Sequence, residues 1–401
     1  MKKFKYLMVI AVVLMFGLAG CDGKKDAKGP AKSEKQIVAE EAEKHEAAKT
    51  VAVEAQKVAV EEKLPPVPMP PLTNEKVLRI TASHYTAWEA WYCADSMGIL
   101  KKWGDKYGVE VVFQPFNSYV ASIEAYNGGE FDACVMTNMD ALIMPAQAGV
   151  DSMCVVPGDT SNGNDKIIGR KGYAESLSDL KGKDLHMVVG SVTDYMVSRA
   201  FSLNGMRYSD VTYQNVVDET TMPMMYSGGD EILVATWNPF AMTIMEDPNA
   251  VVLFDSSQIP GEIIDMMVVR SNAPESFKKI LVGSWFEVMQ MMTSRSNDKD
   301  KILQCMADSA GGTMPQFKAQ LKTTNMFYTP ESELEFVRSP KLIETMELVR
   351  THYFDKGFLE DITHKDDIGI SFPNGVVLGD RDKVKLRFED KYLQMAIDGQ
   401  L

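Results

Sequence analysis

From residue 77 onward, strand-like and helix-like segments alternate along the chain, and this alternation most constrains the fold. Short apolar runs such as 77–82, 109–116 and 131–136 are separated by longer helical patterns, with Gly128 and Gly129 marking one turn. Alternating strands and helices are typical of α/β domains built on a mainly parallel sheet. We therefore predict an α/β fold.

A second series of strand-like segments begins at Leu177. It continues through runs such as 185–189 and 232–236, and the chain turns helical beyond Pro274. We predict that these helices return to the first unit, so that two strands cross between two lobes. The predicted boundaries are 77–180 and 271–401 for lobe 1, and 181–270 for lobe 2. Ligands of such sheets bind outside the carboxyl ends of the strands, which predicts a cleft between the lobes.

The start of the chain has the three parts of an export signal. A lysine-rich opening precedes an apolar run over residues 7–18, which is shorter than the roughly 20 residues that span a bilayer. The string Leu18-Ala19-Gly20-Cys21 resembles the bacterial lipobox. The resemblance implies that residues 1–20 are a cleaved signal peptide and that Cys21 is acylated. We expect a protein anchored to the outer face of the cytoplasmic membrane, in the periplasm if the cell is Gram-negative.

Residues 21–76 are predicted to form a tether between this anchor and the folded domain. Its segment 24–64 is rich in Lys, Glu, Ala and Val and has no aromatic residue, a composition that suits a helix or a disordered spacer. The proline-rich stretch 65–71 then favours an extended conformation. We expect the tether to hold the domain away from the membrane.

The charge and the cysteines exclude several function classes. Residues 65–401 hold 46 acidic and 30 basic residues, a net charge of −16, whereas nucleic-acid binding needs clustered Lys and Arg. The cysteines after Cys21 form no CxxC pair and no histidine cluster accompanies them, so we predict no metal site. A Cys134–Cys154 disulfide and buried free thiols both remain open. No nucleophile elbow or phosphate-binding loop occurs, so neither an enzyme nor a cofactor is predicted.

Several motifs, in family order, resemble those of nitrate/taurine-type solute-binding proteins. They are Ser83-His84-Tyr85-Thr86-Ala87-Trp88, 98–103, 128–133, 177–183 with 189–191, and Thr236-Trp237-Asn238-Pro239. The resemblance implies a two-lobed periplasmic binding protein of type II-like fold. It also implies that the lobes close on a small solute and present it to an ABC permease with its ATPase.

The same resemblance implies which loops line the pocket. Carried onto matching positions, its ligand-binding residues are His84, Tyr85, Trp88, Thr137, Asn138, Ser191, Val192, Thr193, Thr236 and Trp237. Four acids also fall at or near strand ends that could face the cleft, and we add them to the predicted site: Asp218, Glu219, Glu262 and Asp265.

The predicted pocket loops contain aromatic residues but neither Arg nor Lys. An anion would favour those cations, or free amides at helix N-termini. Acids such as Asp140 and Asp194 stand there instead, although helix capping also explains them. Because the faces of Trp88 and Trp237 attract cations, we predict a neutral or cationic nitrogen-rich solute, such as urea, guanidine or an aminopyrimidine. An anion such as taurine, an aliphatic sulfonate or nitrate is the alternative, and a sensor or structural envelope lipoprotein is the alternative class.

Overall fold

The computed structural model of the protein describes residues 32–61, 67, 69–359 and 362–401. The predicted signal peptide 1–20, Cys21 and the beginning of the predicted tether lie outside these residues. Among the helices that the structure describes, none is both long and apolar enough to cross a membrane.

Two mixed sheets form the framework of the molecule. In chain order the strands are β1 (Val77–Ala82), β2 (Glu110–Pro115), β3 (Ala133–Thr137), β4 (Ser152–Ser161), β5 (Lys166–Arg170), β6 (Asp184–Met187), β7 (Thr212–Asn215), β8 (Val234–Thr236), β9 (Ala250–Asp255), β10 (Ile264–Arg270), β11 (Thr324–Met326), β12 (Gly369–Ser371), β13 (Val377–Leu378) and β14 (Val384–Phe388). The first sheet has the order β13-β12-β14-β4-β10-β3-β1-β2, with β11 also paired to β4, and the second has the order β7-β6-β8-β5-β9. The prediction of a two-lobed α/β protein is confirmed.

Helices flank both sheets. They are α1 (Glu34–Glu61), α2 (Glu89–Ser96), α3 (Ile99–Tyr107), α4 (Tyr119–Asn127), α5 (Asn138–Ala141), α6 (Val192–Leu203), α7 (Met222–Ser227), α8 (Phe240–Ile244), α9 (Glu275–Thr293), α10 (Asp298–Ser309), α11 (Met314–Leu321), α12 (Pro330–Val337), α13 (Pro340–Lys356) and α14 (Lys391–Ile397). Helices α2 and α3 are separate helices, because Gly98 between them adopts a left-handed conformation with φ of 74°.

The lobe boundaries differ from those predicted. The second sheet already begins with β5, whereas β10 lies in the first sheet between β3 and β4. The chain therefore crosses to lobe 2 at residues 162–165 and returns at 256–263. The returning strand β10 runs antiparallel to β3 and β4 because it brings the chain back, so the first sheet is less parallel than predicted.

Helix α1 lies within the predicted tether but packs on the domain. It contacts α13 of lobe 1 and α6 of lobe 2, and Ala48 and Ala52 are buried. Their small side chains let the helix approach closely, while Lys44 pairs with Asp355 at the end of α13 at 2.9 Å. The expectation of a detached spacer is therefore wrong for α1, which crosses from one lobe to the other.

The structure decides between the two states that the sequence left open for Cys134 and Cys154. Cys93 of α2 and Cys305 of α10 form a disulfide, while Cys134 and Cys154 are buried free thiols. Cys134 and Cys154 lie in strands separated by β10, which excludes a bond between them in this fold. Near the disulfide, the core of lobe 1 includes Trp91 stacked on Trp285 of α9 with centroids 5.4 Å apart.

Candidate functional site

Three neighbouring strands of the first sheet place polar side chains together at the edge that faces lobe 2. Asp265 at the start of β10 pairs in register with Thr137 at the end of β3 and with Asp159 near the end of β4. All three residues are buried. Burial, reinforced by the neighbouring carboxyl groups, raises the pKa of Asp159 and of Asp265 well above the usual range. A cation bound beside this pair would restore their charged forms.

Four aromatic rings form a row from lobe 1 into lobe 2. The ring of Trp88 lies 5.1 Å from that of Tyr85 and 5.4 Å from that of Tyr119. Tyr119 in turn lies 5.8 Å from Trp237, which follows β8 of lobe 2. Within the described part of the chain, the buried indole Nε1 of Trp88 has no hydrogen-bond partner. An unpaired buried donor costs free energy unless a ligand accepts from it, which marks this row as a candidate contact surface.

Asp140 lies where the two lobes meet. Its Oδ2 accepts hydrogen bonds from the Tyr119 hydroxyl at 2.6 Å and from Thr137 Oγ1 at 2.8 Å. The same oxygen lies 3.4 Å from the backbone N–H of Val192, the first residue of α6 in lobe 2. Burial raises the pKa of Asp140 to about 6 despite these donors. The carboxyl group therefore changes between its neutral and charged forms near pH 6.

Glu219 makes the converse contact from lobe 2. Its Oε1 accepts a hydrogen bond from the backbone N–H of Tyr119, the first residue of α4 in lobe 1, at 2.6 Å. Glu219 is buried, and burial raises the pKa of its carboxyl group. This predicted site residue therefore contacts the residue at the centre of the aromatic row.

The loops of lobe 2 contribute hydroxyl groups. Ser191 caps α6, because its Oγ accepts from the backbone N–H of Thr193 at 3.2 Å. Val192 is buried beside it. The hydroxyl oxygens of Thr193 and Thr236 are buried and have no partner among the residues described. Both threonines can therefore still bond a ligand.

Two predicted residues of the site have other local roles. His84 is half-buried, and its Nδ1 lies 2.9 Å from the Glu89 carboxylate of α2. Its ring stacks on that of Tyr92 with centroids 4.8 Å apart. Asp218 is exposed, and its carboxylate accepts from the backbone N–H of Thr220 at 3.0 Å, which caps a short turn. Neither the His84 imidazole nor the Asp218 carboxylate therefore lies in the aromatic row.

Two further predicted residues hold the crossing segments together. Asn138 donates from Nδ2 to the Glu262 carbonyl at 3.1 Å and accepts from the Ile264 N–H at 2.9 Å. The Glu262 carboxylate is directed at Arg199 and Tyr195 of α6, with oxygen distances of 2.8 and 2.7 Å. The Asn138 and Glu262 side chains therefore stabilise the strand crossing, because they hydrogen-bond buried polar groups there.

Three residues that the sequence did not indicate belong to the site. Tyr119 opens the helix that follows β2, so it lies at the same sheet edge as the predicted loops, and this position could have indicated it. Asp159 was missed because it lies beyond Pro157 and Gly158, which break the apolar run, although β4 continues through them. Asn164, in the first crossing segment, donates to the Tyr85 hydroxyl at 3.0 Å and accepts from Asn238 of lobe 2 at 2.5 Å. It links the two ends of the row.

Comparisons with known proteins agree with this architecture. The family described as NMT1/THI5 like matches residues 91–273. A candidate binding protein of Brucella abortus (strain 2308) is 23% identical over 184 residues, which make up 44% of this chain and 56% of that protein. The chain therefore spans just over half the length of the curated relatives it matches.

Solved structures give the fold. The alkanesulfonate-binding protein SsuA from Xanthomonas axonopodis pv. citri, bound to MOPS, superimposes with a TM-score of 0.61 at 15% identity, covering 78% of this chain and 99% of its own. The periplasmic aliphatic sulphonate binding protein SsuA from Escherichia coli gives a TM-score of 0.54 at 16% identity, with coverages of 72% and 95%. Together with the family match, these confirm the resemblance seen in the sequence. Both neighbours are binding proteins by name.

Proposed function

We propose a function from the premise that this chain has the periplasmic binding-protein fold and carries an NMT1/THI5-like domain. The chain captures a small nitrogen-containing solute, neutral or cationic, in the cleft between its lobes. It then delivers the solute to the permease and ATPase of an ABC importer. Urea, guanidine and aminopyrimidines represent the proposed solute class.

The observation that carries this proposal is a set of buried carboxyl groups that have no paired cation in the part of the chain that the structure describes. Asp159, Asp265, Asp140 and Glu219 all lie at the strand and helix ends that line the cleft, and burial raises the pKa of each. Each also has one carboxyl oxygen without a partner among the described residues. Buried carboxyl groups are costly unless they are paired. A ligand rich in N–H groups would pair them.

The aromatic row supports the same ligand class. The faces of Trp88, Tyr119 and Trp237 would hold a flat cation or a planar amide, an attraction worth about 0.5 to 2 kcal/mol per ring. The unpaired Nε1 of Trp88 would donate to an acceptor on the ligand, such as the oxygen of urea or a ring nitrogen of an aminopyrimidine. Such a site is selective for planar nitrogen compounds.

An anionic ligand is the competing proposal. It rests on the sulfonate-binding proteins whose fold the chain shares. Asp140 opposes it, because a carboxyl group with a pKa of about 6 is mainly ionised at pH 7 and would repel a sulfonate in a buried site. A sensor or structural role in the envelope is the other class, and it requires no transport partner.

A thermal-shift panel tests the ligand class. The purified mature domain is heated with urea, guanidinium, an aminopyrimidine, taurine, methanesulfonate and nitrate, each at several concentrations and constant ionic strength. A ligand at about 100 times its dissociation constant stabilises the fold by roughly 2.7 kcal/mol, which raises the melting temperature by several degrees. We expect shifts with the nitrogen compounds alone. Shifts with taurine, methanesulfonate or nitrate alone would overturn the proposed solute class.

Export and lipidation at Cys21 form the second part of the proposal. They rest on the lipobox-like string Leu18-Ala19-Gly20-Cys21. Expression of the full chain in a bacterium with labelled fatty acid should give a labelled, membrane-associated protein, whereas Cys21→Ser should give an unlabelled one. Equal labelling of both forms would remove the anchor from the proposal.

A further inference from the structure

Two helices begin at the cleft, one from each lobe. Helix α4 of lobe 1 starts at Tyr119, and helix α6 of lobe 2 starts at Val192. The first N–H groups of a helix have no partner within it, and the helix dipole adds partial positive charge there. Such a terminus is therefore a ready site for an anion.

Each of these termini is occupied by a carboxylate of the opposite lobe. Glu219 of lobe 2 accepts the Tyr119 N–H at 2.6 Å, and Asp140 of lobe 1 accepts the Val192 N–H at 3.4 Å. Both acids are buried, with exposures of 1% for Glu219 and 0% for Asp140. The exchange is reciprocal, and it joins the two lobes directly across the cleft.

Ordinary capping does not account for these contacts. Each helix already has a serine as its own N-cap: Ser118 accepts from Ala121 at the start of α4, and Ser191 accepts from Thr193 at the start of α6. Glu219 and Asp140 bond the first amide of each helix, which the serines leave free.

The second oxygen of each carboxylate points to a ligand. Asp140 Oδ1 and Glu219 Oε2 are buried, and neither has a hydrogen-bond partner in the described segments. A cap alone needs one oxygen, and the other remains available to an N–H donor. Both carboxylates flank Tyr119, whose ring belongs to the aromatic row.

We infer that Asp140 and Glu219 are the specificity-determining residues of the cleft, acting as built-in anions that hold the lobes together and exclude external anions. One oxygen of each closes the lobes by bonding the opposite helix, and the other accepts an N–H group of the ligand. This inference rests on the proposed function, because it explains how the site would select a nitrogen compound over a sulfonate or nitrate.

The test compares Glu219→Ala and Glu219→Gln with the wild type and with Glu231→Gln. Glu231 is an exposed acid of lobe 2, so its variant removes the same charge outside the cleft. Small-angle scattering measures lobe closure without ligand, amide exchange reports on the Tyr119 N–H, and thermal shifts are recorded with methanesulfonate and with guanidinium.

We expect Glu219→Ala to expand the unliganded particle, to speed exchange of the Tyr119 amide at least about tenfold, and to gain a thermal shift with methanesulfonate. Glu219→Gln keeps an acceptor for that amide, so it should remain compact but bind guanidinium about tenfold more weakly. Glu231→Gln should match the wild type. If Glu219→Ala does not fold, Glu219→Gln decides: a Glu219→Gln protein that binds guanidinium as tightly as the wild type would overturn the inference.

The outcomes separate this inference from the proposed function. The inference alone is overturned if the wild type binds guanidinium while Glu219→Ala stays compact and does not bind methanesulfonate. The proposed solute class alone is overturned if the wild type binds none of the nitrogen compounds while Glu219→Ala expands and gains methanesulfonate binding. The cross-lobe contacts would then still be supported.

Discussion

Two groups of buried carboxylates lie at the junction of the lobes, and they differ in their partners. In the cleft group, Asp159 and Asp265 lie near the Tyr85 hydroxyl, each other and Asp165, with no cation paired to them among the described residues, and burial raises the pKa of both. In the hinge group, Glu262 bonds Arg199 through two hydrogen bonds of 2.8 and 2.9 Å. Although burial alone would raise it, the guanidinium holds the pKa of Glu262 below its usual value.

The hinge group joins three parts of the chain. Arg199 of α6 also bonds Glu41 of α1, and Tyr195 donates to Glu262 at 2.7 Å. His45 of α1 lies 3.8 Å from the same carboxylate. Every acid at this point has a cation, so the group is complete without a ligand.

The comparison teaches that burial of an acid does not by itself identify a binding site, because the partners of the acid decide whether it serves the fold. In the hinge group, the protein supplies its own guanidinium, and the acids serve the fold. In the cleft group, the proposed function gives the role of the cation to the solute. The following predictions test this distinction by removing one partner at a time.

The largest effect is expected for Arg199→Met. The variant leaves Glu262 and Glu41 buried without their cation, which typically costs about 3 to 5 kcal/mol of stability. Urea denaturation followed by circular dichroism measures the loss. Arg207→Met is the matched control, because its pair with Asp210 is half-exposed and should cost less than about 1 kcal/mol. Equal losses in both variants would show that the hinge group is not a buried ion cluster.

Asp140, which lies where the lobes meet, should make stability fall as the pH rises. Asp140 has a pKa of about 6 in the folded protein, above the usual aspartate value of 3.8, so folding favours its protonated form. This contribution is fully present below about pH 4 and is lost as the pH rises through about 6, a change of roughly 3 kcal/mol. Asp140→Asn should remove that part of the pH dependence. The measurement is the free energy of unfolding at several pH values between 4 and 8. If it falls equally in the wild type and in Asp140→Asn, the raised pKa of Asp140 is contradicted.

Much of the fold, but less of the site, follows from the sequence. Strand and helix periodicity gives the α/β class, since apolar patterns report local burial. The lobe boundary was misplaced because β5 is a short strand with charged ends that the apolar pattern does not indicate, and only pairing across the sheet tells which lobe β10 joins. Loop residues such as Trp88 and Trp237 were predicted from the resemblance to solute-binding proteins.

The partners of buried charges were not predictable in this way. Glu262 and Asp265 both looked like cleft acids, because they stand three residues apart where β10 begins, the first just before the strand and the second within it. Arg199, which separates their roles, comes from a helix more than sixty residues earlier. Helix α1 has a composition that suits a free spacer, and its docking depends on Glu41 and on small buried alanines. Such contacts are set by tertiary structure.

Asp265→Asn should have a smaller effect, of the opposite sign to that of Arg199→Met. Removal of one carboxyl group of the unpaired couple relieves repulsion and should raise stability by about 1 kcal/mol at pH 7.5. Binding of guanidinium should weaken at the same time. Asp151→Asn is the control, since Asp151 pairs with Arg387 at 2.7 Å and its loss should lower stability. A destabilised Asp265→Asn protein with intact guanidinium binding would make the cleft couple structural.

The smallest effect is expected for Glu41→Gln, which tests whether α1 belongs to the hinge group. Arg199 keeps its two bonds to Glu262, so the variant should lose only about 1 kcal/mol of stability. Limited proteolysis should nevertheless cut α1 faster, because Glu41 is its buried ionic contact with α6. Glu40→Gln is the matched control one residue away, since Glu40 pairs with Lys32 at the exposed surface. If both variants are cut at the wild-type rate, helix α1 is held by its alanine face and its pair with Asp355, and the hinge group ends at Glu262.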